Sequence, residues 1–404
     1  MKPLLKIPMA KHLMYEFAMW TGLDPAQEVP RRYLWTDAFA VCNFLGLHKA
    51  TGDECYQSLA LRLIDQVHHV LGRHRTDDER KGWISGLAES EGEHHPTQGG
   101  LRIGKKLNER KPSEPYDTTL EWDQDGQYFH YLTRWMHALH CAHRATGERR
   151  FSDWALELGK TAHARFIYGP DSKGKKSMYW KMSIDLSYPL VPSMGRHDPL
   201  DGFITLQTLR SGRIHPFDPP DELSLEDDIA DMAKMCEGRK WMTEDPLGLG
   251  GLLCDAFRVA QLIVHGCFDG EDLLEAILRD ARFGLGHYAR KNHLDAPAVY
   301  RLAFRELGLS IGFHAFERLE DMIDHNLDRF QKRHELQSGV QQLAHYRPLG
   351  RVIESFWLDP RSREADTWKG PQGYQHSDAG HQPGARRISV HLLDAVPDES
   401  GRTA

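Results

Sequence analysis

The sequence lacks the signatures of several common classes of protein. Its cysteines are scattered singly and never spaced as CxxC, which argues against a zinc ribbon and favours buried free thiols in a reducing cytoplasm. There are six of them: Cys42, Cys55, Cys141, Cys236, Cys254 and Cys267. The chain also has no P-loop, no GxGxxG following a strand and no GxSxG elbow, so the usual nucleotide and serine-hydrolase signatures are absent.

The chain also lacks a net positive charge and long apolar runs. The 404 residues carry a formal net charge of -7, and a nucleic-acid-binding protein would need a basic face, so no nucleic-acid partner is expected. No apolar run approaches the length of a membrane span, and Lys6, Pro8 and Lys11 interrupt the N-terminal segment. We therefore expect a cytoplasmic globular protein with no membrane partner, while its oligomeric state stays open.

The alternation typical of β-strands is nearly absent, whereas amphipathic helical patterns extend along the chain. Helices are predicted near residues 10–21, 35–49, 54–71 and 129–142. Between the second and third, Gly52 suits a left-handed helix end and Asp53 suits the cap of the next helix. Residues 35–71 therefore form a predicted helical hairpin.

This hairpin recurs along the sequence. Residues 50–56 are echoed by 145–151, and a gapless third copy aligns Asp37 with Asp255 and Gly52-Asp53 with Gly270-Glu271. Further first helices are predicted at residues 199–202, 298–319 and 349–357. Six hairpins of roughly 60 to 70 residues would fill the chain, a longer period than simple solenoid repeats have. The prediction is one all-α domain over residues 1–360 that closes into an (α/α)6 barrel or toroid. A polar, Gly/Pro-rich tail follows over 361–404, with one short apolar run at 388–396.

An acidic and aromatic stretch precedes the helix that begins at residue 129. Glu121, Asp123 and Asp125 alternate with Trp122 and lead to Tyr128. Acidic residues are favoured at helix N-termini, so capping is the plain explanation for each one. The aromatic residues go beyond what capping requires, and they favour a pocket at this end of the helix.

The chain resembles the six-hairpin, (α/α)6-toroid glycosidase-like superfamily over about residues 31–357. The likeness rests on the helix pairs with Thr-Gly-Asp/Glu turns, on Tyr33-Leu34-Trp35-Thr36-Asp37 and on Trp122-Asp123. It implies a carbohydrate-active enzyme, since the superfamily includes glucuronyl hydrolases, other inverting glycosidases, sugar epimerases and polysaccharide lyases. In the glucuronyl hydrolases, aspartates at inner-helix starts act as acid and base. By that likeness Asp37 and either Asp123 or Asp125 would be their counterparts, although the echo of Asp37 at Asp255 indicates a structural repeat position.

The substrate-binding candidates combine aromatic faces with polar groups, as sugar pockets do. Core packing is an equal alternative for Trp35, and solvated loop charge is one for Lys181 and Arg196. The predicted substrate-binding residues are Trp35, Trp122, Tyr128, Trp180, Lys181, Arg196, His197, Asp198 and Asp201.

Histidines are numerous, with 24 in the chain, and His130 beside the acidic stretch is the best candidate for proton transfer. His137, His140 and His143 lie three apart, but ligands at that spacing drift around the helix, so a surface stripe is preferred to a metal site. Residues 94–95 are interpreted as part of a solvated acidic loop. The sequence of residues 227–231 matches the DDxxD motif of isoprenoid synthases, yet an acid-rich first helical turn explains it better. No metal and no cofactor is expected.

The favoured function is hydrolysis of a glycosidic bond by two carboxylates, with oligosaccharides, including uronate-containing ones, as substrates. A first alternative is an epimerase or a lyase that uses His130 or His197 as its base. A second is a non-catalytic helical-repeat protein that binds a partner through the same residues.

Overall fold

The computed structural model describes residues 6–170, 174–212, 224–291, 293–365 and 368. Its contacts divide the chain into two compact units, Met14–Gly238 and the combination of Met1–Leu13 with Arg239–Ala404. Helix α1 (Lys6–Thr21) contains the boundary between them. The predominance of helices is confirmed, while the single domain over 1–360 and the closed ring stay predictions.

The unit Met14–Gly238 is built from paired helices and short strands. Helices α2 and α3 pack together, as do α6 with α7 and α8 with α9, and α6 also packs against α2 and α8. The helices are α2 (Leu34–Thr51), α3 (Glu54–Leu71), α4 (Glu89–His94), α5 (Thr118–Asp123), α6 (Phe129–Thr146), α7 (Arg149–Phe166), α8 (Asp198–Ser211) and α9 (Glu226–Cys236). The strands are β1 (Gln127–Tyr128), β2 (Ile167–Tyr168), β3 (Ser177–Met178), β4 (Lys181–Met182) and β5 (Pro189–Val191).

The turns of the first two hairpins share the same hydrogen bonds. Gly52 and Gly147 end α2 and α6 with φ of 71° and 75°, the left-handed conformation that glycine adopts without strain. Thr51 and Thr146 each donate from Oγ1 to the carbonyl four residues back, and each accepts from the amide two residues ahead. Asp53 then accepts from Cys55 N at 3.0 Å and caps α3. The repeat of residues 50–56 at 145–151 is therefore present in three dimensions.

The proposed third copy is different. Asp255 lies in the middle of α10 (Pro246–Val264), whereas Asp37 lies in the first turn of α2. Gly270 has a φ of -126° and stands at the N-terminal cap of α11 (Glu271–Arg290), after α10 has ended. The gapless alignment is wrong here, so Asp255 is not the counterpart of Asp37.

The other unit also consists of packed helices. After α10 and α11 come α12 (Ala303–His325), α13 (Arg333–Ala344), α14 (Arg347–Leu358) and α15 (Pro360–Arg363). Buried Glu306 accepts from Arg301 Nε at 3.0 Å and from Trp357 Nε1 at 2.8 Å, which fixes α14 to α12. Trp368 is only 6% exposed and stacks on Trp357, but the rest of the predicted tail from 369, including the run at 388–396, lies outside the described residues.

Helix α10 corrects one expectation from the sequence. Over its 19 residues it is long and apolar enough to cross a membrane, with a mean hydropathy of 1.6. However, 67% of that apolar window is buried within the structure, as in the core helix of a globular protein. A cytoplasmic location stays a prediction.

A small antiparallel sheet, which the sequence pattern did not indicate, fixes the loops around the start of α6. Its strand order is β1-β4-β5, with Tyr128 opposite Lys181. Buried Gln127 accepts from Leu101 N at 2.8 Å and donates to Ile184 O at 2.6 Å. Gly126 has a φ of 143°, and a Cβ there would come within 2.7 Å of Met182 O, so only glycine allows this close approach. Because Trp180 directly precedes β4, the sheet brings it to the N-terminus of α6.

Candidate functional site

Seven rings meet at the N-terminus of α6 and form what we call the aromatic cluster. The Tyr128 ring centroid lies 4.9 Å from that of Trp180 and 5.3 Å from that of His130. His130 and Trp180 are nearly parallel, with an interplanar angle of 14°. The members are Tyr33, Trp35, Trp122, Tyr128, His130, Tyr131 and Trp180.

One side of the aromatic cluster is buried and the other is exposed to solvent. Tyr33 and Tyr128 are buried, and burial raises the pKa of the Tyr128 phenol above its usual value. Trp122 is 47% exposed, and the His130 side chain is 25% exposed. Flat apolar faces are therefore available to a ligand beside a titratable imidazole.

The acidic partner of His130 comes from the first turn of α8. Nδ1 of His130 lies 3.8 Å from Oδ1 of Asp198, and neither that nitrogen nor Oδ2 of Asp198 has a hydrogen-bond partner within the described residues. Burial, together with the negative charge of nearby Asp201, raises the pKa of Asp198 to about 7. At neutral pH this carboxyl group is therefore present in both its protonated and ionised forms.

Asp201 lies behind this pair and is held by polar contacts. Its Oδ2 accepts a hydrogen bond from Thr133 Oγ1, and its Oδ1 lies 3.3 Å from Arg134 Nη2. Burial lowers the pKa of His130 to about 4, although the charge of Asp201 opposes the shift. At neutral pH His130 is thus a neutral base beside a carboxyl group that can donate a proton, which is the arrangement that general acid–base catalysis uses.

Asp37 occupies a different environment from the one that the sequence predicted. It is only 1% exposed, and its Oδ2 accepts from Tyr33 N at 2.9 Å at the start of α2. Arg32 Nη1 lies 3.7 Å from Oδ1. The carboxylate is buried against its own helix terminus, which does not favour its predicted role as an acid or base.

Asp125 is similarly enclosed. It is 0% exposed and accepts from Arg102 Nη1 at 2.9 Å, Arg75 Nη1 at 3.3 Å and Gly104 N at 2.9 Å. Both of its oxygens accept these hydrogen bonds and the residue is fully buried, so no face of the carboxyl group is open to a substrate. Asp123 is half-buried at the end of α5, and its acid/base role stays a prediction.

Lys181, which the sequence predicts to clamp the substrate through its charge, is buried and faces protein atoms. Its ammonium group donates to Glu121 Oε1 at 2.7 Å, Glu121 O at 2.8 Å and Gln124 O at 2.9 Å. These three bonds use all three donors of the ammonium, while burial lowers its pKa. We therefore correct its role from substrate clamp to structural anchor of the acidic stretch.

The remaining predicted residues lie at the surface or in ion pairs. Arg196 is exposed and His197 caps α8, so their substrate-binding roles stay predictions. Asp228, in the DDxxD match, lies 2.7 Å from Lys160 Nζ and 3.0 Å from His163 Nδ1. His95 similarly pairs with Glu157, which supports structural roles for both segments.

Sequence reasoning did not identify Thr133 and Arg134, although a signal for them exists. They lie three and four residues after His130 on α6, so all three side chains lie on one face of that helix. Asp198 and Asp201 are likewise three apart on α8. The basic face of α6 and the acidic face of α8 have complementary charges, and this match is a sequence signal that the two helices pack together.

Comparisons with protein-family models and with curated proteins each found no match. Among solved structures, the chain is similar to a cellobiose 2-epimerase from Spirochaeta thermophila, with 14% identity, 96% of each chain covered and a TM-score of 0.49. It is also similar to a sugar epimerase from a ruminal bacterium, with 10% identity, coverage of 84% of this chain and 86% of that chain, and a TM-score of 0.45. At these values neither neighbour assigns an activity or a substrate to this chain.

Proposed function

We propose that the chain is a carbohydrate-active enzyme that transfers a proton at a sugar carbon, as an epimerase does, with His130 and Asp198 as its reacting groups. The observation behind the proposal is the pairing of a neutral, partly exposed imidazole with a protonatable carboxyl group beside the aromatic cluster. The alternative, in which Asp37 and Asp125 are the catalytic acid and base, lacks this support because both are buried in ion pairs with arginines.

The aromatic cluster favours a sugar as the ligand. Ring faces pack against the C–H groups of a pyranose, while adjacent polar groups bind its hydroxyls. Trp122 and Trp180 provide such faces next to His130, with their ring centroids 5.5 Å apart. Arg196 and His197, close in sequence to Asp198, are proposed to bind hydroxyl groups of the same substrate.

The chemistry follows from the protonation states. In the open-chain form of a reducing sugar, the C–H next to the carbonyl is acidic enough for a base to remove its proton. His130 takes that proton while Asp198 donates its own to the carbonyl oxygen, giving a neutral enediol. A water molecule then donates a proton to the other face of the carbon while Asp198 recovers the hydroxyl proton. His130 releases its proton to the hydroxide that forms, so the enzyme returns to its starting state and the epimerisation consumes no second substrate.

Glycoside hydrolysis is the second candidate, and one observation favours it. A carboxyl group with a pKa of about 7 is what a glycosidase needs for its general acid, and Asp198 has it. Half-buried Asp123 would then be the carboxylate that activates water. Elimination on a uronate-containing oligosaccharide would instead use His130 as base, as epimerisation does.

A screen of reducing disaccharides, glycosides and uronate oligosaccharides tests the proposal when products are read by mass in D₂O and in H₂¹⁸O. Epimerisation predicts uptake of one deuterium at carbon with no cleavage. Hydrolysis incorporates solvent oxygen, elimination creates a double bond, and a binding protein changes nothing. His130→Gln and Asp198→Asn should each slow turnover at least a hundredfold, whereas His94→Gln, at an exposed histidine of α4, should leave it unchanged.

A further inference from the structure

A second cluster of reactive side chains lies between α2 and α6, away from the aromatic cluster. Cys42 of α2 and His137 and Cys141 of α6 place their Sγ and ring nitrogen atoms within 4.8 Å of one another. Both cysteines are buried and His137 is half-buried. His137 lies seven residues after His130, which is about 10 Å along the helix axis.

The sequence explains why these groups meet. His137 and Cys141 are four residues apart, so they lie one above the other on the same face of α6. Because α2 packs against α6, Cys42 approaches that face from the neighbouring helix. Two thiols and one imidazole from two rigid helices form a donor set that soft and borderline metal ions prefer.

The distances fit a tetrahedral zinc ion. Zinc–sulfur and zinc–nitrogen bonds of about 2.3 Å and 2.05 Å at tetrahedral angles would separate a sulfur from a nitrogen by about 3.5 Å and two sulfurs by about 3.8 Å. Sγ of Cys141 lies 3.5 Å from Nε2 of His137. This distance matches the zinc geometry, and the Cys42 sulfur lies within 4.8 Å of the other two ligand atoms.

The three groups also have few alternative partners. A thiol is a weak donor and a weak acceptor, so the contact between Cys141 and His137 satisfies neither fully. One metal ion bound to Nε2 of His137 and to both sulfurs would replace this weak contact by three coordinate bonds.

We propose that Cys42, His137 and Cys141 bind one zinc ion, with a water molecule in the fourth position on the side of half-buried His137. Such a site would fix α2 against α6 and stabilise the helices whose N-termini bear the aromatic cluster. The sequence shows no CxxC motif for this site, because Cys42 and Cys141 belong to different hairpins. The proposal is independent of the proposed function.

Metal titration of the full chain, first stripped with a chelator under reducing conditions, tests the proposal. One equivalent of ZnCl₂ should bind and raise the thermal midpoint, since a ligand that binds only the folded state stabilises it. Cobalt(II) in place of zinc should give a tetrahedral d–d spectrum with thiolate-to-metal charge transfer. Cys42→Ser, Cys141→Ser and His137→Gln should each weaken binding at least tenfold, whereas Cys55→Ser and Cys236→Ser should not.

Three results would overturn the zinc site. They are no stoichiometric binding to the reduced wild-type chain, cobalt spectra without thiolate charge transfer, and binding that all three variants retain. A Cys42–Cys141 disulfide in the isolated protein, with no zinc affinity after reduction, would identify a redox pair instead. The cobalt spectrum of the wild type does not depend on how well any variant folds, so the test holds even if a serine variant unfolds.

Discussion

At the scale of single residues, burial and pairing decide which acidic groups are available for chemistry. Asp37 and Asp125 are buried beside arginines, whereas burial and a neighbouring carboxylate raise the pKa of Asp198 to about 7. The sequence predicts all three as acidic residues near helix starts, but it does not show which arginine or carboxylate each will meet. Those partners come from residues up to 50 positions away, as with Arg75 and Asp125.

The pH dependence of turnover follows from the two pKa values. His130 must be neutral to accept a proton, so kcat/KM should fall below about pH 4, and Asp198 must be protonated to donate, so it should fall above about pH 7. The measurement is a pH–rate profile on the substrate that the screen identifies. In the residual activity of Asp198→Asn, the fall of kcat/KM above about pH 7 should disappear. If the fall persists, a group other than Asp198 causes it.

Asp198 should also make folding depend on pH. Its pKa is raised from 3.8 in the unfolded chain to about 7 in the folded one. Between these pH values the folded state therefore binds more protons than the unfolded state. The contribution of Asp198 to stability is lost as the pH rises through this range. Asp198→Asn should therefore become more stable relative to wild type from pH 4 to pH 7, by on the order of 3 to 4 kcal/mol. Urea unfolding at several pH values measures the difference, and a flat difference would contradict the shift. The lowered pKa of His130 makes stability rise with pH instead, but this effect is present in both wild type and Asp198→Asn and cancels in the difference.

Lys181 offers a test of structural against substrate-binding roles. Lys181→Met leaves the buried carboxylate of Glu121 without its ammonium partner, and removing one partner of a buried pair costs about 3 to 5 kcal/mol. Denaturant unfolding should show that loss, whereas Arg196→Met, at an exposed position, should change stability by less than about 1 kcal/mol. A rise in KM with unchanged stability in Lys181→Met would restore the substrate-clamp role.

At the scale of elements, the helices could be predicted because their signals are local. The predicted helix at 54–71 coincides with α3, and those at 35–49 and 129–142 end two to four residues short of the observed ends of α2 and α6. The sheet β1-β4-β5 could not be predicted, since strands of two or three residues are too short for a period-two pattern. Its residues Gln127 and Lys181 looked like polar loop positions, although each fixes buried backbone.

The hairpin turns provide a matched pair of capping tests. Asp53 accepts a backbone hydrogen bond at the start of α3, whereas Glu148 occupies the same position before α7 without a side-chain cap bond. Asp53→Ala should cost about 1 kcal/mol of stability and Glu148→Ala should stay within about 0.5 kcal/mol. Equal losses in thermal or denaturant unfolding would mean that the aspartate cap contributes nothing beyond its charge.

At the scale of the whole molecule, the sequence establishes the helical class more firmly than the architecture. Periodicity and turn residues give helix pairs, but which helix lies beside α6 depends on packing between segments that are distant in the sequence. The meeting of His130 with Asp198 arises at that level, because α8 packs against α6. Closure of all the hairpins into a ring remains a prediction.

The proposed function requires that His130 removes a proton from a sugar carbon beside the aromatic cluster while Asp198 protonates the neighbouring carbonyl oxygen. Its most direct test is deuterium incorporation from D₂O into a reducing sugar, measured by mass and NMR with wild type, His130→Gln and His94→Gln. We expect one carbon-bound deuterium per epimerised product with wild type and His94→Gln, and at least a hundredfold slower incorporation with His130→Gln. Equal incorporation by His130→Gln, or turnover that puts solvent oxygen into products and no deuterium at carbon, would contradict it.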